Sequence, residues 1–309
     1  MQIAYIKTLY EIMQADSRVV SLLSDSGTDY DAMMAAEMPD QCYNFGIAEQ
    51  NKVAIAAGMA MCGKIPFVYT SGAFLAYRSF EFIRNDVCYQ NQNVKLIGMG
   101  SGTSWRTLGP SHHTTEDLAL LRAIPNLVVL SPATPLEAAA CVYAAYEHKG
   151  PVYIRLGMSG EKEYFEENCS VRIGGSTELR QGTDAAIFAT GSILSETMEA
   201  VEELEANGVH ASVLDMYSIK PIDDKAVIQA AQTCDALITV EEHSVSGGLG
   251  GAVAEVMAQA GLARHLLRIG LDNRFAAGYG TQKEVRAANG LADEQIARRI
   301  ADFVGGLIK

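Results

Sequence analysis

The sequence predicts an α/β protein built from two open, mainly parallel-sheet domains, and three observations carry that prediction. The chain is long enough, at 309 residues, for about two domains. Short β-rich runs alternate with helical patterns, the sign of parallel strands joined by crossover helices. The alternation breaks once, between Met158 and Gly182, and then resumes. In the first part, strands are expected at 19–25, 65–70, 94–100, 127–132 and 152–157. Between them "EQNKVAIAAGMAM" reads as a small-residue helix. "TPLEAAACVYAAYEH" reads as another, with Thr134 as N-cap and Pro135 in its first turn. The break, "MSGEKEYFEENCSVRIGGSTELRQG", is charged, glycine-bearing and unperiodic, and predicts a linker with one short hairpin. Strands are expected again at 185–190, 209–216, 236–243 and 266–271. The organisation read from this is a domain over 1–160, a linker over 161–182 and a smaller domain over 183–309.

The totals narrow the function. A net charge of −13 argues against a nucleic-acid ligand, since such proteins present a basic face. The six cysteines are scattered without CxxC pairing or metal-ligand spacing and read as reduced thiols. The start "MQIAYIKTLYEIMQADSR" lacks the apolar run of a signal peptide, and nowhere do 18 apolar residues follow one another, so no membrane partner and a cytoplasmic location are expected.

One residue fits its surroundings poorly. Glu49 opens a helix that is apolar on nearly every side, and so places a carboxylate at the mouth of an element packed on most of its faces. "GPSHHTTEDLALLRAI" (109–124) sets His112 and His113 in a loop before a helix, where an imidazole can exchange protons or simply be structural. "SGGLGG" (246–251) precedes a helix and offers backbone N–H groups to an anion, or else serves close packing; it lacks GxGxxG spacing. No metal-ligand spacing among the histidines and no GxSxG nucleophile turn occurs.

Taken together, "FGIAEQNKVAIAAGMA", "GPSHHTTEDLALLRAIPNLVVLSP" and "VEEHSVSGGLGGAVAEV" resemble the transketolase family, including its deoxyxylulose-phosphate synthase relatives. The resemblance covers the carboxyl-terminal half of a full-length enzyme, its pyrimidine-binding and terminal domains. It implies a thiamine diphosphate-dependent transfer of a two-carbon ketol unit from a ketose to an aldose. The glutamate of the AEQ motif, which contacts N1′ of the cofactor's aminopyrimidine, falls on Glu49 as a catalytic and cofactor-binding residue. A carboxylate in an apolar site holds its proton and favours the reactive tautomer of the ring. "YTSGAFLAYRSFEFIRN" resembles the segment whose aromatics stack on the pyrimidine, with a small gap in the alignment. Phe74 is the first choice there, and Tyr77 and Phe80 follow. His112 matches the histidine that contacts donor hydroxyls and relays protons, and His113 stands beside it as a substrate contact.

Two departures qualify the match. No GDG motif followed by Asn occurs, and in the family that motif holds magnesium and the diphosphate. The resemblance therefore implies a split enzyme, in which a separate diphosphate-binding subunit supplies both, in an α2β2 assembly with residues 46–63 and 74–89 at its interface. The substrate positions also differ: Met158 stands where an arginine is usual, Leu108 where an acid is, and Gly100 where a histidine is. "SWRT" (104–107) is unusual in its place, so Arg106, or Arg155, is expected to hold a substrate phosphate, or Trp105 to close a pocket on a non-standard sugar. The alternatives are a deoxyxylulose-phosphate-synthase-like subunit, a 2-oxo acid dehydrogenase β-type subunit, and a non-catalytic homologue.

Overall fold

The computed structural model describes residues 1–25, 28–158 and 160–307. The first sheet has seven strands in the order β10-β5-β6-β4-β3-β1-β2. They are β1 (Val19–Leu23), β2 (Cys42–Asn44), β3 (Ile65–Ser71), β4 (Lys95–Met99), β5 (Val128–Leu130), β6 (Val152–Leu156) and β10 (Ser218–Lys220). All pair in parallel except β10, which runs antiparallel to β5. Every residue of β1, β3, β4, β5 and β6 is buried, because helices cover both faces. On one face lie α1 (Gln2–Ala15) and α6 (Pro135–Glu147), the latter capped by the Thr134 side chain as its sequence predicts. On the other lies α3 (Glu49–Met61), packed in one apolar core that continues into the second domain.

The second sheet runs β12-β11-β8-β9-β7, with β7 (Thr177–Arg180), β8 (Ala185–Thr190), β9 (Ala211–Asp215), β11 (Ala236–Ser244) and β12 (His265–Leu271). Only β7 is antiparallel. In place of the hairpin expected in the linker, residues 177–180 add a single edge strand to β9. Each predicted strand is present with its ends within two residues of the expectation, trimmed in most and one residue longer in β3, β11 and β12. β2 and β10, three residues each, are additions to the expectation.

A polar seam joins the two halves. Arg155, buried in β6, binds Asp117 at 3.0 Å and donates to the carbonyls of Thr114 (2.8 Å) and Glu242 (3.0 Å). Arg286, in α10 (Gln282–Ala288), meets Glu242 at 2.6 Å and Glu196 at 2.5 Å and donates to Ser192 Oγ at 2.8 Å. Glu242 in turn accepts from the Thr103 backbone N–H at 3.1 Å. Gly102 stands here with φ +58°, and a Cβ on it would lie 2.6 Å from Glu242 Cγ.

Candidate active site

β1 connects outward to β2, and the chain returns through α3 to β3 on its other side. The carboxyl ends of β1 and β3 are therefore a topological switch point, where open α/β sheets form their clefts. A cleft of about 220 Å³ opens there. Ser24 and Asp25 follow β1, Thr70 and Ser71 end β3, and Met99 ends β4. Glu49, Phe74, Trp105 and His112 complete the walls with Ile47 and Leu108. Wider hollows of about 320 to 460 Å³ lie elsewhere, but none is lined by a buried charged side chain.

Glu49 is 2% exposed and is the first residue of α3, where the free N–H groups and the helix dipole favour a negative charge. Its Oε2 accepts from Arg78 Nη1 at 2.7 Å, and its Oε1 has no hydrogen-bond partner among the described residues. The Arg78 guanidinium also lies over the Phe74 ring, 4.9 Å from its centroid. Phe74 and Arg78 bound a π-helical turn (Phe74–Arg78), and a second one follows (Ile83–Cys88) after the short α4 (Phe80–Phe82). Such wide turns gather at functional sites because they re-aim side chains. The imidazole of His112 stands edge-on to Phe74 at 5.1 Å and to Trp105 at 6.0 Å, with its Nδ1 3.0 Å from Ser111 Oγ.

The structure therefore brings Glu49, Phe74, Trp105 and His112 into one cleft and leaves Tyr77, Phe80, His113, Arg106 and Arg155 outside its lining. Tyr77 turns its hydroxyl to the start of α5 (Asp117–Arg122), accepting from the Thr115 and Glu116 N–H groups at 3.0 Å and donating to Glu116 Oε2 at 2.7 Å. Phe80 packs against the first core. His113 is buried and its Nε2 donates to the Arg106 carbonyl at 3.1 Å, which fixes the loop. Arg106 is exposed outside the cleft lining, with φ +51°. Arg155 is committed to Asp117 in the seam. A side chain at Gly100, where φ is +81°, would collide with the Trp105 indole, so Trp105 fills the space in which a histidine was expected. The anion on the "SGGLGG" helix start belongs to the chain: Glu241 accepts from the N–H groups of Leu249 (2.7 Å) and Gly250 (2.8 Å), at the start of α9 (Leu249–Gln259).

Sequence reasoning missed Arg78, Ser24 and Lys52. The last is fully buried one turn beyond Glu49, where burial pulls its ammonium down to about 7 against the opposing pull of the Glu49 charge. A lysine among Val53, Ala56 and Ala57 was the available signal.

Comparison with known proteins agrees with this geometry. Residues 1–159 match the family described as transketolase, pyrimidine binding domain, and residues 174–296 match transketolase, C-terminal domain. A putative transketolase C-terminal section of Methanocaldococcus jannaschii is 39% identical over 305 residues, covering 98% of this chain and 95% of the relative. An apulose-4-phosphate transketolase subunit of Actinobacillus succinogenes is 36% identical over 90% of both chains. A split-gene transketolase solved as an inactive β4 tetramer superposes with a TM-score of 0.89 at 37% identity, covering 98% of this chain and 97% of that one. Membership of this family implies dependence on thiamine diphosphate and, for a chain of this half, a separate partner subunit. With both of its halves matched in order over nearly their full length, the chain belongs to the transketolase family.

Proposed function

We propose that this chain is the pyrimidine-side subunit of a thiamine diphosphate-dependent transketolase and moves a ketol unit from a ketose to an aldose. A partner chain supplies the diphosphate and magnesium sites in an α2β2 assembly. The observation that carries the reading is Glu49: a buried carboxylate, open on Oε1, beside an aromatic ring in a cleft at the strand ends.

These residues suit an aminopyrimidine. Glu49 would hold its N1′ through a short hydrogen bond, and Phe74 would lie against the ring. Thiamine diphosphate, when bound, supplies the carbanion-stabilising chemistry of ketol transfer. His112, with Nδ1 engaged by Ser111, has Nε2 for moving a proton at a donor hydroxyl. Arg78 shares the Glu49 carboxylate and would compensate its charge. Exposed apolar side chains around the site, Ile47 at 74% and Leu108 at 50%, fit an interface that the partner covers. The kinship to a subunit named for apulose 4-phosphate supports a non-standard ketose as substrate. With Arg155 committed to the seam, a phosphate on that ketose is left to Arg106 or to the partner.

Calorimetric titration of thiamine diphosphate with magnesium tests the split site. The isolated chain is expected to show very weak binding or none, and the reconstituted complex tight binding. Tight stoichiometric binding to the isolated chain would overturn the division of labour.

A further inference from the structure

Beneath the cleft lies a cation that none of the roles above uses. Lys52 has no exposed surface. Its Nζ donates to Ser24 Oγ and, at 2.9 Å, to the carbonyl of Tyr69. Among the described residues these two are its acceptors, although an ammonium carries three N–H bonds. Burying a lysine in this way costs stability that a methionine of similar length would not lose. Its presence therefore points to something other than packing.

Ser24 supplies the other half of the argument. It lines the cleft directly after β1, and its oxygen accepts from Lys52. With one lone pair engaged by Lys52, the hydroxyl keeps its own O–H as a donor, and no described residue accepts it. Asp25 and Glu49 are acceptors, and Ile47, Phe74, Met99 and Leu108 are apolar. Thr70, Ser71, Trp105 and His112 also bring donors to the lining, but among these Ser24 is the hydroxyl whose oxygen a buried lysine holds, and among the described residues no lysine or arginine lines the space itself.

We propose that Lys52 and Ser24 form a substrate-recognition pair, in which Lys52 fixes Ser24 as a hydrogen-bond donor to an acceptor oxygen of the bound ketose. The inference rests on the ketol-transfer reading. Ser24 touches the sugar, and Lys52 is a positioning residue acting through it. The charged and titratable groups around the pair are Glu49 on the same helix, Arg78 on the π-turn, Asp25 after β1, Tyr69 in β3 and His112 across the cleft. Because an amine also donates through N–H, the bond to Ser24 survives whichever form of Lys52 is present at neutral pH.

The test uses the reconstituted complex with D-xylulose 5-phosphate or L-erythrulose as donor and glycolaldehyde as acceptor. Ser24→Ala and Lys52→Met are each expected to raise KM for the ketose about tenfold with little change in kcat, the loss of one binding hydrogen bond. Lys52→Gln keeps an N–H for Ser24 and is expected to stay within about twofold of the unaltered complex. Ser24→Ala without a KM effect, or equal effects of Lys52→Met and Lys52→Gln, would overturn the inference while leaving the functional reading intact. An unaltered complex with no ketol transfer from either sugar or from apulose 4-phosphate would overturn the reading, and the inference with it.

Discussion

The seam between the domains and the cleft at the strand ends both bury charge, and they treat it oppositely. In the seam, Arg155 and Arg286 meet carboxylates at 2.5 to 3.0 Å, and every partner is supplied by this chain. In the cleft, Glu49 keeps one oxygen open, and Lys52 has two acceptors among the described residues for three N–H bonds. Two buried lysines make the contrast sharpest. Lys95, at the opposite end of the sheet, gives its Nζ to Asn93 Oδ1 (2.7 Å) and to the carbonyls of His148 and Gly150 (2.8 Å each), three acceptors for three donors. Arg286 Nε is the one buried atom of these seam pairs that lacks a partner among the described residues, yet each seam charge meets a counter-charge of the same chain and so orients the domains. The charge left open at the cleft is reserved for something that arrives.

The largest expected effect comes from removing the cleft's carboxylate. Glu49→Gln in the reconstituted complex should lower kcat for ketol transfer on the order of 10²- to 10⁴-fold, with assembly by sedimentation unchanged. Unchanged turnover would break the assignment. The seam should respond in stability instead: Arg286→Met strands Glu242 and Glu196 and should cost about 3 to 5 kcal/mol in denaturant unfolding. The lysines refine the comparison further. Lys95→Met leaves the His148 and Gly150 carbonyls without the partner they share and Asn93 Oδ1 with the Gly150 N–H alone, and should destabilise by about 1 to 3 kcal/mol, whereas Lys52→Met should be neutral or stabilising.

The smallest effect is a slope. Burial brings Lys52 down to about 7 in the folded chain, and an unfolded lysine titrates near about 10.4. Between those values the unfolded state binds the extra proton, so stability rises with pH across that window and its loss is complete below it. Lys52→Met should remove one proton's share of that rise, measured as unfolding midpoints from pH 7 to 9. An unaltered slope would show that the lysine titrates as if it were exposed.

Much of this was legible in the sequence. Strands buried on both faces, such as "IPFVYT", announce themselves as continuous apolar runs, and the AEQ and GPSHH motifs located Glu49 and His112. β2 and β10 were not legible, since three-residue edge strands have too little pattern to show a period. The widened turns over 74–88 were invisible for a related reason: their apolar spacing is neither 3.6 nor 2, and the alignment gap was their only trace. Arg155 drew attention as a cation near the site, but a strand covered on both sides left it no route to the cleft, and Asp117 holds it instead. Arg78 and Lys52 were overlooked because a charge in a helix reads as an exposed face until the packing is known.

β10 has a consequence for how such a chain can be divided. Although it follows β9 in the second half, it completes the edge of the first sheet against β5. A gene cut within residues 161–182 would yield a first piece with an open β5 edge, free to recruit strands from its neighbours. A division of the chain that keeps the first sheet closed would therefore have to carry Ser218–Lys220 along with the sheet it completes.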